Sequence, residues 1–275
     1  MSLPDKSPSG ISPGMRSAPR RIVSLVPSET YNLARLGVLD RLVGRTRYCV
    51  APAECESVPV VGGTKDVDVE AVIEREPEVV LANQEENRRK DIESLRRAGL
   101  NVRLVFPKTV RDGLQDLVEL AAMLELEHPL VERARSVLDE PRRARGQGLR
   151  CFVPIWRNPW MTVNDDTYIG DVLRWLGCAN VFGDRPSTDG EGRDTRYARV
   201  TWEEVQAAQP QMVLLPDEPY RFGPKHVPSF ETIGVPSSRI HCVNGRDLCW
   251  HGAWALERLW ALEAALLSPS RPAAR

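Results

Sequence analysis

The sequence predicts an α/β protein with parallel sheets, organised as two Rossmann-like lobes joined by a helical connector. Three observations carry that reading. Short apolar runs alternate with amphipathic helical stretches along most of the chain. One long stretch, residues 109–147, has helical periodicity and no strand character. And residues 68–81 (DVEAVIEREPEVVL) are echoed by residues 201–214 (TWEEVQAAQPQMVL) without a gap.

Taken in order, residues 21–26 (RIVSLV) form a strand that Pro27 ends, and Ser28 is placed to cap a helix that Gly37 stops. Residues 59–61 make a short strand. Asp68 caps a helix over 69–75, and Pro77 separates it from a strand at 78–82. A charged helix over 85–98, closed by Gly99, precedes a strand at 102–106. In the connector Leu114, Leu117, Val118, Ala121 and Leu124 recur at helical spacing; Pro129 suits the first turn of a second helix, and Pro141 ends or kinks it. Alternation then resumes at 151–155, 167–176, 202–208, 211–215, 239–243 and 250–267. The expected layout is a lead-in at 1–20, a lobe at 21–108, the connector at 109–149, a lobe at 150–267 and a tail at 268–275. In the echoed segments a capping residue, a Glu two positions on, a Val, a Pro and the strand coincide. Either the lobe is duplicated, or two αβ units share ordinary helix-cap and strand signals. A weaker echo pairs Thr30-Tyr31 and Leu36-Gly37 with Thr167-Tyr168 and Leu176-Gly177.

Composition excludes several classes. With 37 Lys+Arg against 38 Asp+Glu and no basic block, the 275-residue chain lacks the cationic face of a nucleic-acid binder. No apolar run approaches the roughly 18–20 residues that cross a bilayer. Residues 1–20 are rich in Ser, Pro and Gly and contain no apolar signal core, so the chain as written is expected to be cytoplasmic, with a disordered lead-in. A mature exported protein also lacks its signal, so a trimmed start would correspond to a periplasmic or cell-surface protein. The six cysteines form no CxxC pair and are expected to be mostly buried free thiols.

No nucleophile elbow, dinucleotide fingerprint, phosphate loop or zinc-protease motif is present, so no catalytic residue and no catalytic cofactor is assigned. The aromatic residues point elsewhere. All seven Trp fall in the second half of the chain; Trp175, Trp254 and Trp260 have core spacing, whereas Trp156 and Trp160 follow a strand in IWRNPWMT. Ligands of open α/β sheets gather beyond the carboxyl ends of strands. The strand-end loops offer Asn83, Glu86 and Asn87; Trp156, Arg157 and Trp160; Glu218, Tyr220 and Phe222; and Trp250 and His251. Such a set suits a large, flat, partly polar ligand, with aromatic rings against its face and Asn87, Arg157 and Glu218 on its polar edges. His251 is a candidate axial ligand to a chelated metal, or a core histidine satisfied by hydrogen bonding. Glu70 and Glu203 occupy matching places in the repeat. Each is explained equally by the helix dipole or by docking onto a basic partner.

These stretches (RIVSLVPSET, VGGTKDVDVEAVIEREPEVVLANQEEN, IWRNPWMTVNDDTYIGDVLRWLG, VTWEEVQAAQPQMVLLPDEPYRFG and NGRDLCWHG) together resemble the substrate-binding proteins of ABC importers of the cobalamin and iron-siderophore type, and within them the cobalamin branch. The resemblance implies a non-enzymatic receptor that holds a metal-containing chelate between its lobes: cobalamin first, haem or a ferric siderophore otherwise. It implies that Glu70 and Glu203 dock onto the membrane permease, and that Tyr48 and Tyr197 are cleft aromatics. Thr64 and Asn83 stand where the cobalamin receptors carry tryptophans. Two other roles are open at this stage: a cytoplasmic carrier or sensor of the same chelates, and a small-molecule enzyme using the same cleft.

Overall fold

A computed structural model describes residues 17–140 and 148–267. Most of the lead-in, Pro141 and the tail at 268–275 lie outside the described residues. Packing divides the described chain into two compact units. The first runs to Phe106 and includes Asp116–Arg135; the second comprises Pro107–Gln115 and the residues from Ser136 onward.

The first unit carries strands β1 (Ile22–Ser24), β2 (Leu42–Arg45), β3 (Val79–Asn83) and β4 (Val102–Val105), with helices α1 (Pro27–Arg35), α2 (Val69–Glu74) and α3 (Arg89–Arg97). Its sheet is parallel throughout, in the order β2-β1-β3-β4. β1 and β3 are buried at every position, which is why they read as continuous apolar runs rather than alternating ones. Val23, Leu25, Val72, Val80, Ile92 and Leu95 form the core between sheet and helices. The sequence misplaces three features here. Pro27, not Ser28, opens α1, with Val26 at the cap position, because proline's fixed φ suits the first helical turn. Residues 59–61 supply one bridge, Arg45 to Val60, rather than a strand. β2 is not anticipated, since four residues containing Gly44 carry no period.

Helices α4 (Val110–Met123) and α5 (Pro129–Asp139) follow, with Pro129 in the first turn of α5. The unit boundary falls inside both. The second unit has β5 (Leu149–Phe152), β6 (Trp160–Met161), α6 (Tyr168–Trp175), β7 (Cys178–Asn180), β8 (Arg199–Val200), α7 (Trp202–Ala207), β9 (Met212–Pro216), α8 (Val227–Glu231), β10 (Ile240–Val243), α9 (Arg246–Cys249) and α10 (Ala253–Leu267). Its main sheet, again parallel, has the order β10-β9-β5-β7, and β6 pairs with β8 antiparallel. The helix expected over 250–267 is α10 and begins three residues later, after Gly252, whose φ of 71° lies in the left-handed region; the short α9 ahead of it is not anticipated.

The repeat extends to details outside the matching letters. Asp68 caps α2 by accepting from the Ala71 N–H, and Thr201 caps α7 by accepting from the Glu204 N–H. Glu76 and Gln209, each directly before its proline, have φ of 45° and 44°. Arg21, ahead of β1, donates to the carbonyls of Arg75 and Glu76, while Arg150 in β5 donates to those of Ala208 and Gln209. The weaker echo holds only at its C-terminal end: Gly37 and Gly177 both turn left-handed after a helix, but Thr167 caps α6 whereas Thr30 lies inside α1.

Candidate functional site

In the second unit the chain leaves β5 and folds back on itself, the Ile155 N–H donating to the Met161 carbonyl at 2.8 Å and the Met161 N–H to the Trp156 carbonyl at 3.0 Å. This turn, and the loop after β9, bring five of the candidate residues together. Trp160 has Phe222 stacked against it at 6.1 Å with 7° between the planes, and Trp202 at 5.5 Å. Phe230 meets it edge-on at 5.8 Å. The Arg157 guanidinium lies over the Trp160 ring, 5.4 Å from its centroid, in a cation–π contact. Tyr220 packs on Phe222 at 4.6 Å and meets Trp156 edge-on at 5.6 Å. The outcome is a continuous ring group, anchored in the core by Phe230 and Phe152, whose outermost member, Trp156, is 43% exposed. A flat exposed ring held by buried rings loses little conformational entropy when a ligand face is laid on it.

Beside it, the Glu218 carboxylate accepts from the Cys249 thiol at 3.5 Å. Burial pushes Glu218 above the ordinary carboxylate range, against the opposing hydrogen bond from Cys249 and the nearby Arg246 charge. Gly245 is required here by close approach, since a Cβ would fall 2.4 Å from Glu218 Cγ and 2.8 Å from its carbonyl oxygen. Trp250 is buried, edge-on to Trp254 at 5.1 Å, under the Arg246 guanidinium at 4.8 Å. Tyr197 stands apart, beneath Arg196, which is itself fixed to Asp194. His251 is not brought to this group. It is 3% exposed, packed against Tyr168 and so close to α4 that a Cβ on Gly113 would lie 2.6 Å from its own Cβ. That enclosure withdraws it as an axial metal ligand.

The first unit presents its candidates differently. Asn87 is buried, and its amide is engaged with backbone. Nδ2 donates to the carbonyls of Leu25 and Thr64 at 3.3 and 3.0 Å, and Oδ1 accepts from the Asn83 N–H at 2.9 Å. The Asn83 Oδ1 in turn accepts from the Glu85 N–H at 2.8 Å. Asn87 is therefore a structural pin across three segments, not a group offered to a ligand edge. Tyr48, 54% exposed, lies under the Arg47 guanidinium, and Glu86 is exposed. Glu70 and Glu203 occupy the second helical position of α2 and α7 and face solvent. The neighbouring Glu204 is occupied by Thr201 and Arg185, whereas neither Glu70 nor Glu203 has an ion pair or hydrogen bond among the described residues.

Two features escape the sequence reading. A polar crevice of about 530 Å³ opens between Lys108, Asp112, Asp165, Asp166, Arg174 and Arg185, where Lys108 pairs with Asp166 at 2.9 Å. And His226, buried behind Tyr220 and Phe222, belongs to the aromatic group; a histidine four residues after Phe222 is the only trace of it in the sequence. Among the described residues no three His, Cys, Asp or Glu side chains converge as a metal set, and no helix is long and apolar enough to cross a membrane. Of the cysteines, Cys242 and Cys249 are exposed and the other four are buried.

Comparison with known proteins gives a consistent result. The vitamin B12-binding protein of Photorhabdus laumondii is 24% identical over 254 residues, covering 89% of this chain and 86% of that protein. That of Pectobacterium carotovorum is 24% identical over 208 residues, covering 73% and 72%. Among solved structures, the periplasmic vitamin B12 binding protein BtuF of Vibrio cholerae superposes with a TM-score of 0.74 at 20% identity, covering 90% of this chain and 97% of that one. A periplasmic heme binding protein of Pseudomonas aeruginosa gives 0.73 at 19%, covering 93% and 95%. Residues 22–229 match the family model described as periplasmic binding protein, and the chain belongs to that family.

Proposed function

We propose that the chain is a non-enzymatic receptor for a metal-containing chelate, a corrinoid before any other, which it presents to an ABC permease. The carrying observation is the ring group ending in the exposed Trp156, backed by Tyr220, Phe222 and Trp160 and flanked by Arg157 and Glu218. A corrin or porphyrin face rests on Trp156 and Tyr220, and its amide or carboxylate edges take Arg157 and Glu218. Tyr197 and Trp250 of the same unit complete the contact set. The names of the relatives support cobalamin. Haem is the second reading, favoured by the structural likeness to the periplasmic heme binding protein of Pseudomonas aeruginosa. Glu70 and Glu203, exposed and without described partners, are the permease contacts. A receptor of this kind works outside the cytoplasmic membrane.

The test is an absorbance titration with cyanocobalamin, aquocobalamin and haemin, with tryptophan quenching alongside. Saturable micromolar or tighter binding of a cobalamin, weakened about 5- to 150-fold by Trp156→Ala or Tyr220→Ala, is expected. Tight haemin binding with no response to either cobalamin selects the second reading. Unchanged affinity in both variants removes the ring group from the site.

A further inference from the structure

His226 is 1% exposed, and its imidazole is edge-on to both Tyr220 (5.9 Å) and Phe222 (5.2 Å), two rings of the proposed ligand surface. Its Nδ1 lies 3.1 Å from the Gly223 N–H and 3.2 Å from the Gly223 carbonyl. With the Gly223 N–H as its donor, Nδ1 carries no proton, and the neutral ring then has its proton on Nε2. Nε2 is buried and has no partner among the described residues. The side chain thus ties the backbone at Gly223 to the two rings just before it, and it does so through a lone pair that a second proton would occupy.

The surroundings oppose that proton. The charged groups acting on the imidazole are Arg157, from the turn after β5, and Lys225, its chain neighbour, and both are cations. Tyr220 and Phe222 are the rings packed on it. Desolvation, and to a smaller degree the two positive neighbours, hold His226 below its ordinary value of about 6.5, opposed by the Gly223 carbonyl, which accepts from a protonated Nδ1.

We propose that His226 is a positioning residue that holds Tyr220 and Phe222 in the ligand-binding arrangement only while its ring is neutral, so that acid loosens the aromatic group and releases the ligand. This rests on the receptor reading for the ligand, but the ring movement itself does not. Protonation converts Nδ1 from acceptor to donor, breaks the bond from the Gly223 N–H, and places a third positive charge beside Arg157 and Lys225 in a closed space. The acceptor left to Nδ1 is the Gly223 carbonyl at 3.2 Å, and the exchange of the N–H contact for the carbonyl contact shifts the loop at 220–223.

Two measurements on the full chain test this. The first needs no ligand: near-ultraviolet circular dichroism titrated from about pH 8 to about pH 5 is expected to show a one-proton transition below pH 6.5. His226→Asn, whose Oδ1 can still accept from Gly223 but cannot be protonated, is expected to lack it. The second is the cyanocobalamin Kd over the same range. It should weaken about ten-fold or more in the wild type and less than about two-fold in H226N. A wild-type spectrum without a transition overturns the proposal, as does a transition or loss of affinity that H226N shares. If H226N does not fold, H226Q takes its place, and the wild-type spectrum alone still decides. If no cobalamin binds at any pH, the corrinoid reading fails while the spectroscopic result stands on its own.

Discussion

Replacing Asn87 by Ala separates a structural pin from a ligand group. The side chain makes three hydrogen bonds to backbone, to Leu25, Thr64 and Asn83, and these residues are 0%, 7% and 6% exposed. Alanine leaves three backbone groups without their partner, in a place where water enters poorly. At about 1 kcal/mol for each lost bond, and more where a group stays dry, the loss of stability should be about 3 kcal/mol. With a urea dependence of about 3 kcal/mol per molar for a chain of this size, the unfolding midpoint should fall by about 1 M. Asn87→Asp keeps an acceptor for the Asn83 N–H but turns a carboxylate oxygen towards two carbonyls. It should be at least as damaging at neutral pH and should recover partly in acid. Once folded, either variant should bind cyanocobalamin within about two-fold of the wild type, because the amide has nothing left to offer a ligand. A midpoint shift below about 0.2 M, combined with a ten-fold loss of affinity, would falsify this reasoning and return Asn87 to the ligand set.

Three further outcomes are expected. Gly113→Ala improves helix propensity by about 1 kcal/mol, but its Cβ would lie 2.6 Å from the His251 Cβ; with overpacking costing about 1–3 kcal/mol, the variant should be less stable in urea, and equal or greater stability would refute the close contact. Glu70→Arg and Glu203→Arg should leave chelate affinity unchanged and abolish stimulation of the partner permease's ATPase, whereas normal stimulation by the double variant would remove both from docking. Glu218 has a folded-state pKa raised above its ordinary value of about 4.3, so the folded chain binds more protons than the unfolded one between the two values. The stability it contributes is complete below the ordinary value and is lost as pH rises through the raised one. Glu218→Gln should therefore gain on the wild type from pH 4 to pH 7 in urea midpoint, and parallel pH curves would show that burial does not govern this carboxyl.

What the sequence discloses and what it withholds differ in physical kind. The cap at Asp68, the proline at N1 of α5 and the buried runs of β1 and β3 are local signals, and each element lies within a residue or two of its expected place. β2 and β7 are four and three residues long. Their letters, LVGR and CAN, hold no apolar run of the kind that marks β1 and β3, and only pairing with β1 and β5 makes them strands. The same division runs through the site. Trp156, Trp160 and Tyr220 are legible as aromatic residues of strand-end loops, and the structure brings their rings into one group. Asn87 looked like a ligand group because nothing in its letters says that Leu25 and Thr64 will lie against its amide, and His226 was missed because its role depends on which rings surround it.

The repeat shows how tertiary contacts can decide what local signals leave open. A cap, a valine and a proline are ordinary features of any helix-to-strand connection, so their coincidence at 68–81 and 201–214 does not by itself separate a duplicated lobe from two unrelated αβ units. Glu76 and Gln209 are less ordinary. A non-glycine residue with φ near 45° is uncommon, and both occur one residue before proline. Arg21 and Arg150 are less ordinary still. Each lies in, or directly before, the strand on which the repeat's own strand pairs, Arg21 before β1, which pairs with β3, and Arg150 in β5, which pairs with β9. Each reaches the last carbonyls of the helix, where a cation is favoured by the dipole and supplies partners for acceptors the helix leaves open. Helix caps do not require an arginine from another strand, and prolines do not either. That both units use the same distant side chain at the same helix end is what a copied lobe would retain, and it favours duplication over shared local signals.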